Sequence, residues 1–155
     1  MGIKIARAGL IAAIYIVLCI ALQPLSYGVV QIRFAEALTL LPMLFPEAIP
    51  GLFIGALVAN LYGPVGMVDV IGGSLTTLVA AYGTYFFRNS VLAYLSPVVL
   101  NAIFVSLYLH LFFEWPYWAT VLSIGLSEAL VVFTLGHLLI TVLKRYKRDR
   151  NSFLK

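Results

Sequence analysis

Long apolar stretches separated by single charges dominate this chain. Between charged residues lie uncharged segments at 8–32, 48–68, 70–87, 89–113, 115–127 and 129–143, and a membrane-crossing helix needs about 20 mostly apolar residues. The last two segments read as one helix carrying Glu128 inside it. Proline and glycine place the breaks: Gln23-Pro24 with Ser26-Tyr27-Gly28, Pro46 to Pro50, Gly63-Pro64 with Gly66, Arg88-Asn89-Ser90, and Glu114-Trp115-Pro116. The pattern predicts six helices at about 4–25, 33–45, 48–63, 67–87, 91–113 and 117–143. The second is too short to cross a hydrocarbon core of about 30 Å upright, and the third is marginal, so both are expected to be tilted, broken or packed inside the bundle.

Composition turns this pattern into a fold class. Of 155 residues, 63% are hydrophobic and only 10% are charged, against about 25% charged for a soluble domain. Mean hydropathy is +1.04. The expected fold is an all-α integral membrane protein, a bundle of six transmembrane helices forming a single membrane-embedded domain over 1–155. No linker, low-complexity stretch or composition shift divides it.

Charge then sets orientation. Eight of the ten basic residues lie at the two ends, Lys4 and Arg7 at the front and Lys144, Arg145, Lys147, Arg148, Arg150 and Lys155 at the back. Six helices put both termini on one side, and the positive-inside rule assigns that side to the cytoplasm, with Arg88 in a further inner connection. The net charge of +4 therefore reads as topology, not as a nucleic-acid surface. Neither a cleaved secretion signal nor a lipoprotein anchor is expected, because Leu18 before Cys19 is too bulky for a small-residue cleavage site. Cys19 is the only cysteine, which excludes an intrachain disulfide.

Ionisable groups inside a membrane are costly and by default mark a site or a buried pair. In this topology Arg33, Glu36, Asn60, Asp69, His110 and Glu114 fall in the outer half, and Glu128 lies near the middle of the sixth helix. A pocket open to the outside follows. Each residue also has a structural reading. Arg33 and Glu36 share a helical face at i,i+3 and could neutralise each other, Asp69 could cap a helix, and Asn60 and Asn101 could link helices. Glu128, with no cation next to it in sequence, must take a proton, meet Arg33 across the bundle or bind a donor-rich ligand. His110 and His137 lie toward opposite faces, so no metal site is expected. Tyr27, Tyr62, Trp115, Tyr117 and Trp118 read mainly as an outer aromatic belt. On the first helix, Ala8 and Ala12 form a small-residue stripe that a second helix could approach closely.

No phosphate-binding Gly-x4-Gly-Lys-Ser/Thr loop occurs, nor His-Glu-x-x-His, Gly-x-Ser-x-Gly or Cys-x-x-Cys. A small chain with a one-sided pocket and no energy source reads as the recognition part of a larger machine.

Residues Tyr27 through Pro42, with their Gln31-x-Arg33-x-x-Glu36-Ala37-Leu38 core, resemble the signature of the queuosine-precursor transporter family QueT. The runs Gly55 to Asn60, Gly66 to Asp69, Gly72 to Leu78 and Pro97 to Ala102 extend the resemblance over nearly the whole chain. Ala35 stands where the family often has Ser. The resemblance implies a substrate-binding S component of an energy-coupling factor (ECF) transporter in the cell membrane. Such a component takes substrate under its outer loops and docks the Ala8/Ala12 stripe on a transmembrane coupling subunit. Two cytoplasmic ATPases supply the energy.

The implied substrate is queuine or a 7-deazaguanine such as its 7-aminomethyl form. A guanine-like edge offers two neighbouring N–H donors to a carboxylate, and an amide or guanidinium can reach its carbonyl oxygen. Glu36, Asp69 and Glu128 are the candidate carboxylates, and Gln31, Arg33, Asn60 and Asn101 their polar companions. Tyr27 or Tyr62 would stack on the base. No cofactor, metal or nucleic acid is expected; lipid is. The alternatives are an S component for another vitamin or a metal ion, a stand-alone proton-coupled carrier using Glu128, and an intramembrane enzyme with Glu128 or His110 as base.

Overall fold

In the computed structural model, which describes residues 1–26 and 32–153, six helical rods form a bundle, and no strand occurs among the described residues. The rods are α1 (Gly2–Ala21), a 3-10 helix (Phe34–Met43), α3 (Ala48–Leu61), α4 (Met67–Phe86), α5 (Leu92–Phe113) and a last rod built from α6 (Tyr117–Val131), a π turn (Val132–Gly136) and α7 (His137–Phe153). A single turn, α2 (Gln23–Ser26), follows α1. Three helices, Gly2–Ala21, Leu92–Phe113 and Tyr117–Asp149, are long and apolar enough to cross a membrane.

The expected second helix is present but wound as a 3-10 helix. Pro42 lies inside it, and in an α-helix its ring would clash with the carbonyl four residues back. The Thr39 hydroxyl bonds the carbonyl of Glu36 three residues earlier, in step with the tighter winding. At about 2 Å rise per residue, ten residues reach about 20 Å. This rod is the axis of the fold. Every residue from Ala35 to Pro42 is buried, and it touches α1, α3, α4, α5, α6, α7 and the π turn. The main apolar core is built around it from Leu40 and Leu41 with Tyr15, Leu52, Val132 and Ile140.

α1 and α3 meet through small residues. A Cβ on Gly51 would come within 2.6 Å of the Ala8 carbonyl oxygen, and one on Gly55 within 2.9 Å of Tyr15 Cβ and 3.2 Å of Ala12 Cα. The Ala8/Ala12 stripe thus packs on α3, because the glycines opposite let two backbones come into contact within the chain. Arg7 clamps the same pair of elements, bonding Glu47 just before α3 with its guanidinium 4.4 Å from the Phe45 ring centroid.

α4 and α5 are stitched by polar groups. Pro97 inside α5 has no N–H for the Ala93 carbonyl, and the Thr84 hydroxyl of α4 donates to that oxygen at 3.2 Å. Ser96 donates to the Ala80 carbonyl at 3.2 Å. The last rod was expected to stop near residue 143 and instead continues as helix to Phe153, because the basic tail has no proline or glycine to break it.

Two changes test this packing. Thr84→Val keeps the shape of the side chain but leaves the Ala93 carbonyl unpaired, and is expected to cost about 1–3 kcal/mol, read by unfolding in detergent. Ala8→Leu with Ala12→Leu should cost about 1–3 kcal/mol per site by overpacking against α3; unchanged unfolding would show that α1 and α3 are not in this contact.

Candidate functional site

The polar residues singled out from sequence converge in the bundle interior. Glu36 comes from the first turn of the 3-10 helix, Asp69 from the first turn of α4, Asn101 from the middle of α5 and Glu128 from the last turn of α6. All are buried, with Asp69 and Glu36 each 1% exposed and Glu128 4%. Arg33, at the entry to the 3-10 helix, is also buried.

Two hydrogen-bonded groups result. In the first, Arg33 donates to Asp69 Oδ2 at 3.0 Å, Tyr108 donates its hydroxyl to Asp69 Oδ1, and Asn60, ending α3, donates to the Asp69 backbone carbonyl at 3.0 Å. Gly73, one turn beyond Asp69, makes this possible. A Cβ there would lie 2.5 Å from Asp69 Oδ1 and 2.8 Å from the Asn60 amide nitrogen. Asp69 therefore does not serve merely as a solvated helix cap. It is held by both carboxylate oxygens.

In the second group, the Asn101 amide nitrogen donates to Glu128 Oε1 at 2.7 Å and, at the limit of reach, to Glu36 Oε2 at 3.5 Å. The Tyr15 hydroxyl of α1 donates to Glu36 Oε1. Neither Glu36 nor Glu128 has an ion-pair partner among the described residues. Arg33 thus pairs with Asp69 and not with Glu36, its neighbour at i,i+3: a 3-10 helix turns every three residues, but Arg33 is in extended backbone at φ −91°, ψ 96° and projects toward α4.

Arg33, Glu36, Asn101 and Glu128, with Val105 and Ile124, line a cavity of about 10 Å³ among the described residues, room for about one water molecule. Larger hollows lie on the outside of the bundle between α4 and α5, about 320 and 350 Å³, and are walled by apolar residues such as Ile71, Leu75, Val79 and Leu107. They face where lipid would be. The Tyr108 ring borders both hollows while its hydroxyl reaches inward, so this one side chain separates Asp69 from hydrocarbon.

Not every expected residue is in the cluster. Tyr62 caps α3 and is 63% exposed, and it is not among the residues that line the cavity. Tyr27 and Gln31 lie outside the described residues. Sequence reasoning missed Tyr15, Tyr108 and Gly73. Tyr15 follows Ala12 by three residues and so shares its face, a signal that a hydroxyl would enter the bundle there. Tyr108 had no such mark, since its partner Asp69 is 39 positions away. His110 bonds the Trp115 carbonyl at 2.7 Å and His137 meets Tyr94 at 3.2 Å. Among the described residues no group of three or more histidines, cysteines or carboxylates is placed to hold a metal ion.

Helices apolar enough to span a membrane, wrapped around a buried cluster of three carboxylates, a guanidinium and two amides, define a polytopic membrane protein with an intramembrane polar site, the class to which solute transporters belong. The chain is a member of the QueT transporter family, whose model matches residues 5–145. Its role is transport, not catalysis. Among curated proteins and solved structures, none matches this chain significantly.

The Arg33–Asp69 pair generates a prediction. Arg33→Met leaves a buried carboxylate without its cation and should destabilise by about 3–5 kcal/mol, whereas Arg33→Met with Asp69→Leu should regain most of that loss. A double variant no more stable than the single one would show that the two side chains do not act as a pair.

Proposed function

We propose that the chain is the substrate-binding S component of an ECF importer, acting as one binding unit in the cell membrane. It captures a queuosine precursor from outside, queuine or a 7-deazaguanine such as its 7-aminomethyl form. It delivers this cargo inward together with a transmembrane coupling subunit and two cytoplasmic ATPases, with both of its own termini on the cytoplasmic side.

The observation that carries this reading is the arrangement of Glu36, Asn101 and Glu128. One amide nitrogen is shared by two buried carboxylates, and a single amide cannot neutralise both. A ligand bringing several N–H donors, positive charge or both is the natural complement. A guanine-like edge supplies two adjacent donors to one carboxylate, and an aminomethyl cation suits the second. Arg33, which bonds Asp69 and lines the same cavity, is the donor we assign to a carbonyl oxygen. With about 10 Å³ among the described residues, against roughly 300 Å³ or more for a small-molecule site, binding must be accompanied by separation of the lining side chains. Association well below the diffusion limit is the consequence.

Docking on the coupling subunit falls to another face of α1. With Ala8 and Ala12 packed on α3, the small residues left facing outward include Gly9 and Ala13, beside the expected stripe. Leucine at Gly9 and Ala13 should block assembly with the coupling subunit while ligand binding persists; assembly of that variant at normal yield would remove this face from the account.

Cargo is tested by calorimetric titration of the detergent-purified chain with queuine, 7-aminomethyl-7-deazaguanine, guanine and unrelated vitamins. Tight binding confined to the deazaguanines is expected, and Glu36→Gln and Glu128→Gln should each weaken it by about tenfold or more. Folded protein that binds a different vitamin and no deazaguanine would overturn the cargo.

A further inference from the structure

A second concave feature lies at the other end of α4 from Asp69. Where α4 ends, the 87–90 turn and the start of α5 meet the last residues of the 3-10 helix and the side of α7. Together they line an open, shallow cavity of about 440 Å³ walled by Met43, Arg88, Asn89, Ser90, Tyr94 and Lys144, among others. None of these residues belongs to the polar cluster described above.

Its chemistry is that of an anion site with an apolar wall. Arg88 and Lys144 supply two positive charges, and neither makes an ion pair with an acidic side chain among the described residues. The Arg88 guanidinium is held over the Tyr85 ring, 4.7 Å from its centroid. That contact fixes the plane of the fork and leaves the N–H edge for a partner with two oxygens. Ser90 accepts the Leu92 N–H at 3.2 Å and the following N–H groups of α5 bond the Ser90 and Val91 carbonyls, so the donors this cavity offers an anion are the two cationic side chains. Opposite these groups the wall is Met43 and Tyr94, the latter held by its contact with His137 at 3.2 Å and stacked on Phe133. Cations at the rim and apolar side chains beneath match a phosphate ester that carries hydrocarbon better than a bare carboxylate or a chloride.

We propose that this cavity binds a phosphate group through Arg88 and Lys144, carried either by an anionic membrane lipid or free in solution. The basic residues place this end of the bundle at the side where anionic headgroups attract cationic segments. The proposal does not depend on which cargo the carboxylate cluster takes.

The test uses the full chain in mixed micelles with phosphatidylglycerol, with phosphatidylcholine, or with inorganic phosphate and no added lipid, followed by thermal unfolding. Arg88→Gln with Lys144→Gln removes the cations from exposed positions; Arg145→Gln with Lys147→Gln removes equal charge from the tail outside the cavity. Phosphatidylglycerol is expected to raise the unfolding temperature of wild type and of the tail variant by about 3 °C over phosphatidylcholine, and the cavity variant should lose that increment. The same residue-dependent gain with inorganic phosphate would support the site and identify free phosphate as its ligand. No selective gain from either, an undiminished gain in the cavity variant, or an equal loss in the tail variant would overturn the proposal. Native mass spectrometry of the wild-type chain gives an arm that needs no variant. One preferentially retained phosphatidylglycerol or phosphate is expected, and equal retention of both lipids with no phosphate adduct would refute it.

Discussion

A carboxylate placed among helices that lipid surrounds must obtain its hydrogen bonds from the protein, because hydrocarbon offers none. That requirement organises this bundle. Asp69 is met by a guanidinium, a phenol and, through its carbonyl, an amide; Glu36 by a phenol and an amide. The donors come from α1, α3, α5 and the entry to the 3-10 helix, so satisfying two acids ties most of the bundle together. Among the described residues Glu128 receives its hydrogen bond from Asn101 alone. It is the acid with most capacity left for a ligand.

The 3-10 helix is what brings these groups to one place. An element buried on every side can carry a charge into the centre of a small bundle, and its extended rise lets ten residues do the work of about thirteen in an α-helix. Small residues serve the same end elsewhere. Gly51 and Gly55 let α1 lie against α3 and so bring the Tyr15 hydroxyl inward, and Gly73 leaves the space that Asp69 and Asn60 fill.

Much of this was legible in the sequence. Apolar run lengths and the prolines gave six helices with boundaries close to those observed except at the end of the last, since in a membrane both hydrophobic length and chain breaks are strongly constrained. Arg33, Glu36, Asn60, Asp69, Asn101 and Glu128 stood out because charges and amides are scarce in such a chain. What did not show was pairing. Nothing local distinguishes Arg33–Glu36 from Arg33–Asp69; the choice depends on backbone direction at Arg33 and on the register of α4. Tyr15 and Tyr108 did not stand out among the tyrosines, because a phenol can face lipid with its ring and an acid with its oxygen, and nothing local marks which ones do. The Ala8/Ala12 stripe marks a face that a helix can approach closely, and the close approach of α3 there depends on Gly51 and Gly55, some forty residues away.

The π turn at Val132–Gly136 is, in effect, one residue spliced into an otherwise regular helix. Each residue after such an insertion is turned by about 100° relative to the phase an unbroken α-helix would impose. The two halves of the rod are thereby released from a common register: the stretch ending at Glu128 can keep its acid toward Asn101, while the stretch from His137 to Lys144 chooses its own neighbours, Tyr94 among them. Substitutions that adapt the charged end to a different membrane surface can accumulate without rotating Glu128 out of the interior, so a lineage can revise one end of this helix and conserve the other.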